Sequence, residues 1–139
     1  MTGTTPSTPV GSAARLSAGR IVLAFAVDVV LLLIFSAIGR ANHGEEVFGG
    51  LIVTAWPFLV GLVVGWLISR AWLAPFAPLR TGLPVWAIVV VAGMLLRGVS
   101  DQGVDVAFVL VAASFLLLFL VGWRAIVALV AVLRRRRSS

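Results

Sequence analysis

Four long apolar runs, at residues 20–38, 51–69, 84–99 and 106–130, are separated by short polar stretches along the chain. At about 1.5 Å of rise per residue, some 20 residues cross a hydrocarbon core of roughly 30 Å, so the first two runs fit one crossing each. The third reaches full length only if Arg97 and Gly98 count as helix, and the fourth has length to spare. All four are rich in Val and Ile, which favour strands in water. In lipid, however, an unpaired backbone N–H or C=O has no water to turn to, and a spanning segment satisfies its own backbone as a helix. The pattern predicts an all-α membrane protein, a four-transmembrane-helix antiparallel bundle whose short connections make neighbours run in opposite directions. Residues 1–19, which begin with a stretch rich in Thr, Ser, Pro and Gly, read as a disordered cytoplasmic N-terminus with no convincing cleavable signal. Residues 134–139 read as a basic cytoplasmic tail.

Composition agrees with lipid as the solvent, since 61% of the 139 residues are hydrophobic and only 12% are charged. Cysteine is absent, which removes disulfides, thiol nucleophiles and cysteine-ligated metal centres. A net charge of +6 would suggest nucleic acid in a soluble protein, but here the charges follow topology and no nucleic-acid partner is implied. With both termini inside, the inner side holds Arg15, Arg20, Arg70, Arg80, Arg134, Arg135, Arg136 and Arg137, eight of the eleven basic residues. The positive-inside rule therefore favours N-in/C-in. The lipid bilayer is the expected partner, and the four terminal arginines are expected at anionic lipid headgroups, where each contributes about 1 kcal/mol.

Within the spans, Asp28 is the only acid. It lies 8 residues past Arg20, roughly 12 Å into the first helix. An ionised carboxylate facing lipid there costs roughly 2.5 to 3.5 kcal/mol on insertion scales, so Asp28 should face the bundle and find a counter-charge or a proton. Arg97 and Arg124 are both candidates. Arg97 is the favoured one, because Arg124 can snorkel to headgroups. In the second span Pro57 removes one backbone hydrogen bond, which predicts a kink and frees the carbonyl near Val53. Thr54 could answer that carbonyl, or the carbonyl and the Trp56 indole could line a small polar site beside Asp28. Gly61 and Gly65 form a small-residue stripe that lets another helix approach, in this chain or in a second copy. Trp66, Trp72, Trp86 and Trp123 read as an interfacial aromatic belt.

The outer loops carry His43, Glu45, Glu46, Asp101 and Asp105, read as solvated acidic loops in preference to a cation site. One His in the chain rules out His₂ or His₃ zinc chemistry, and no metal or cofactor is implied. No nucleophile elbow, phosphate loop or HExxH motif is present, and no two carboxylates pair within a span. The expectation is accordingly that the chain is not an enzyme.

Four stretches carry a resemblance. They are Asp28-Val29-Val30-Leu31 with Gly39-Arg40 and His43-Gly44-Glu45, then Thr54-Ala55-Trp56-Pro57-Phe58-Leu59, then Gly93-Met94-Leu95-Leu96-Arg97, and Gly122-Trp123-Arg124. Together they resemble a family of small bacterial membrane proteins, domain of unknown function 3054, over residues 20–126. The resemblance implies a four-helix protein of the bacterial plasma (inner) membrane and carries no activity. Two functions compete. One is a structural or accessory bundle with a buried Asp-Arg site that packs into a homo-oligomer or a larger membrane complex. The other is a small proton-coupled transporter or channel subunit in which Asp28 cycles a proton and Pro57 is the moving part.

Overall fold

The computed structural model describes residues 17–138, so the N-terminal reading for residues 1–16 lies outside the described residues. Four α-helices follow in order: α1 Ala18–Asn42, α2 Val47–Ser69, α3 Leu83–Val99 and α4 Val106–Arg137. The described residues contain no strand. Each helix is long and apolar enough to cross a membrane, the third once the wide turn before it is counted, as in a multi-pass membrane protein.

The helices end where the sequence supplies stops. Arg70 closes α2 in the left-handed conformation, at φ 50°, and Gly44 and Gly103 take positive φ in the loops after α1 and α3. Asp105 caps α4 by accepting a hydrogen bond from the Ala107 N–H at 3.0 Å. Pro57 sits fully buried inside α2, which continues through it. The third crossing gains its length at its start. A wide π-type turn, Pro78–Gly82, leads directly into α3, so the continuous span is Pro78–Val99, with Pro84 in the first turn of α3.

Small residues let α2 and α3 approach most closely. A Cβ built on Gly61 would lie 3.1 Å from the Val89 carbonyl oxygen, and one on Gly65 would lie 3.3 Å from that of Val85. The stripe thus serves an intramolecular neighbour, and that face is closed to a second copy. Below it Phe35 and Phe58 meet edge to face at 5.5 Å, Phe58 fills the space that a side chain at Gly93 would need, and Leu62, Val89, Leu116 and Leu120 complete the core. Large apolar side chains such as Ile52, Leu95 and Leu118 cover the outside, the surface that lipid would contact.

Candidate functional site

Polar groups gather at two levels about 18 Å apart along α1, one around Asp28 and one around Arg40. The first is a closed knot. Arg124 of α4 meets Asp28 in a two-pronged ion pair, with Nη1 donating to Oδ1 at 2.8 Å and Nη2 to Oδ2 at 2.7 Å. Trp66 of α2 donates its indole N–H to Oδ2 at 2.9 Å, and Trp123 of α4 donates to Oδ1 at 2.9 Å. Each carboxylate oxygen therefore accepts two hydrogen bonds, which fills its usual capacity. Arg124 gives two further donors to backbone, with Nε on the Pro75 carbonyl at 2.8 Å and Nη1 also on that of Leu120 at 2.7 Å.

Both charged side chains are 0% exposed. Aromatic rings wall them in: Trp123 lies under the Arg124 guanidinium at 4.6 Å, and Phe76 and Phe25 pack nearly perpendicular to Trp123 and Trp66. The α2–α3 loop is folded into this end of the bundle. Pro75 is fully buried, and Thr81 holds the loop by donating to the Ala74 carbonyl at 2.6 Å. Irregular backbone at membrane depth needs protein partners for its carbonyls, and Arg124 is the partner of Pro75. Gly82 makes room for it, since a Cβ there would lie 3.2 Å from Arg124 Cδ. A buried pair of this kind gains little over an apolar pair of similar volume, but losing one member leaves an uncompensated charge at a cost of about 3–5 kcal/mol. The pair ties α1 to α4 at this level.

The Asp28–Arg124 pair corrects the preference for Arg97. Arg124 stands 13 residues, roughly 20 Å, before the end of α4, whose exposed last turn already carries Arg134, Arg135, Arg136 and Arg137, so snorkelling was never its easiest escape. Arg97 lies in the last turn of α3, at the far level, where Nη1 donates to Gln102 Oε1 at 3.0 Å and Nη2 to the Gln102 carbonyl at 2.9 Å. The belt reading is corrected for three of the four tryptophans: Trp66 and Trp123 bind Asp28, and Trp86 donates to the Ala113 carbonyl at 2.8 Å, whereas Trp72 is exposed. Thr54 and Trp56 are not part of the knot. Thr54 accepts from Arg40 Nη1 at 3.0 Å, and the half-buried Trp56 is not among the groups that bind Asp28.

The second level was missed as a site by sequence reasoning. A cavity of about 380 Å³ opens among Ser36 and Arg40 of α1, Thr54 of α2, Arg97 of α3 and Phe108 of α4. Arg40 is well held: beyond Thr54 it donates through Nε to the Glu46 carbonyl at 2.8 Å and pairs with Glu45 at 2.8 Å. Gly50 leaves space for its guanidinium, which a Cβ would enter. Glu45 thus ties down an arginine, and no group of three or more possible metal ligands forms among the described residues. Arg97 stacks over the Phe108 ring at 4.3 Å. Two buried polar atoms, Ser36 Oγ and Arg97 Nε, have no hydrogen-bond partner, a shortfall that costs about 1–3 kcal/mol each.

With that geometry in hand, comparison with known proteins gives one match. Over residues 25–127 the chain fits the family model described as protein of unknown function (DUF3054), a span that holds Asp28, Arg40, Arg97 and Arg124. No curated protein and no solved structure matches.

Proposed function

Because the chain belongs to the DUF3054 family of proteins of unknown function, whose description assigns no activity, we propose a structural or accessory role in the bacterial inner membrane. In this reading it is an antiparallel four-helix bundle, fastened in one register by the Asp28–Arg124 clamp and catalysing no reaction. The order of contacts supports the antiparallel arrangement. Along α1, Asp28, Phe35 and Arg40 meet Trp66, Phe58 and Thr54 of α2, rising numbers against falling ones. Gly61 and Gly65 likewise meet Val89 and Val85 of α3. Arg20, Arg70, Arg80 and the four terminal arginines go with the clamp end and Arg40 and Arg97 with the other, which supports an N-in/C-in orientation with the clamp toward the cytoplasm.

Saturation of Asp28 is the observation that carries this reading. A carboxylate that cycles a proton needs a free oxygen and a route to water, whereas each Asp28 oxygen already accepts two hydrogen bonds and the side chain has no exposed surface. This weighs against a proton-coupled carrier working through Asp28. The bilayer, with anionic headgroups at Arg134–Arg137, is the proposed partner, and a second copy or a larger complex would dock on a face other than Gly61 and Gly65. The test compares wild type with Asp28→Asn and Arg124→Gln for two readouts, the folded fraction in mild detergent and proton or ion flux in reconstituted vesicles. The expected result is a loss of folded protein with no Asp28-dependent flux. Proton or ion flux above empty vesicles in the folded wild type would overturn the proposal.

A further inference from the structure

The cavity at the Arg40 level differs from the clamp in one respect: its chemistry is incomplete. Its lining sets two guanidinium charges, Arg40 and Arg97, against the single carboxylate of Glu45, which pairs with Arg40 at 2.8 Å and acts on Arg97 only from beyond ion-pair distance, so one net positive charge is left over. Gln102 occupies both terminal nitrogens of Arg97 and leaves the Nε edge of the guanidinium without an acceptor. Ser36, 1% exposed, contributes a hydroxyl with no partner to the same cavity. A water molecule could answer the serine, but it could not balance the charge on Arg97. The Nε edge of a guanidinium matches an oxyanion, and the rings of Phe35 and Phe108 beside it offer an apolar wall. At about 380 Å³ the cavity is of the size that holds small organic ligands.

We propose that this cavity binds a singly charged oxyanion head, a carboxylate or phosphodiester on a small apolar body, with Arg97 as the anchoring charge and Ser36 as a second donor. The head belongs either to a soluble monoanion or to an anionic lipid entering from the membrane side. The site is independent of the clamp, since no residue is shared between them.

The test uses the full chain in nanodiscs and follows 4-fluorobenzoate by fluorine NMR, with protein-free discs subtracted. In zwitterionic discs the expected result is saturable binding. It should weaken about tenfold or more in Arg97→Gln, weaken measurably in Ser36→Ala, and stay unchanged in Arg80→Gln, whose side chain is exposed on the α2–α3 loop. Raising the phosphatidylglycerol content of the discs separates the sources: displacement of the probe assigns the site to a lipid head, and undiminished binding assigns it to a soluble anion. Phosphatidylglycerol retained by wild type and lost by Arg97→Gln in native mass spectrometry would also support the lipid form. The proposal is overturned if neither probe binds the folded wild type, or if binding is indifferent to both substitutions. Ser36→Ala removes only a hydroxyl and decides the matter if Arg97→Gln does not fold.

Discussion

Replacing Asp28 by Asn keeps the shape of the side chain and removes its charge, which isolates what the clamp contributes. Four donors converge on the carboxylate, two from Arg124 and one each from Trp66 and Trp123. An Asn presents one acceptor oxygen and turns an NH₂ toward two of those donors. Hydrogen bonds between membrane helices average about 0.6 kcal/mol, so the two bonds lost suggest about 1 kcal/mol. Arg124 then stays charged and 0% exposed, with only the Pro75 and Leu120 carbonyls to face it, and breaking a buried pair costs about 3–5 kcal/mol. The larger figure should govern, because the stranded charge outweighs the lost bonds. A double-mutant cycle with Asp28→Asn and Arg124→Gln, read by reversible unfolding in mixed micelles, measures the coupling. The expected coupling exceeds about 2 kcal/mol, with the double variant more stable than the sum of the single losses implies. Additive losses, with coupling under about 0.5 kcal/mol, would refute the reasoning.

Other consequences are open to separate measurement. Trp123→Phe keeps the ring near Phe76 and loses one donor to Asp28, so it should destabilise the bundle by about 0.5–1.5 kcal/mol in the same unfolding assay. Gly93→Ala places a methyl group 2.5 Å from the Phe58 ring and should cost about 1–3 kcal/mol, with partial rescue by Phe58→Leu. Gly61→Leu should separate α2 from α3, because the obstacle is the Val89 backbone, which cannot swing aside; fewer α2–α3 cross-links between engineered cysteines would report it. For the orientation, Ser138→Cys should resist an impermeant maleimide in intact cells while Asp101→Cys reacts.

Much of the fold was legible because the bilayer permits so few solutions. Apolar runs of spanning length had to become helices, and a lone intramembrane Asp28 had to find a partner. The identity of that partner was harder to read. Arg97 sits near the end of its apolar run, whereas Arg124 sits inside one, and the helix lengths separate them: α3 stops two residues after Arg97, whereas α4 continues through the terminal arginines. A tryptophan near a span end reads as interfacial whether its N–H meets water or a buried carboxylate, which hid the roles of Trp66 and Trp123. The Arg40 cavity had no local motif. It is assembled from the ends of four helices and two loops, and its one legible trace was that Ser36, Arg40, Thr54 and Arg97 are polar residues at or near the same ends of their spans. The Gly61 and Gly65 stripe announced close packing, but a sequence pattern does not name the helix that fills it.

The central claim is that the Asp28 carboxylate is held by the Arg124 guanidinium inside the bundle. Solid-state NMR of protein in lipid, with ¹³C-labelled Asp and ¹⁵N-labelled Arg, measures that proximity through dipolar dephasing of the Asp28 carboxyl carbon. A two-pronged pair requires strong dephasing, from a carbon-to-nitrogen distance under about 4 Å, that disappears in Arg124→Gln and persists in Arg97→Gln. An Asp28 signal without dephasing in wild type, or dephasing that follows Arg97 instead, would contradict the account.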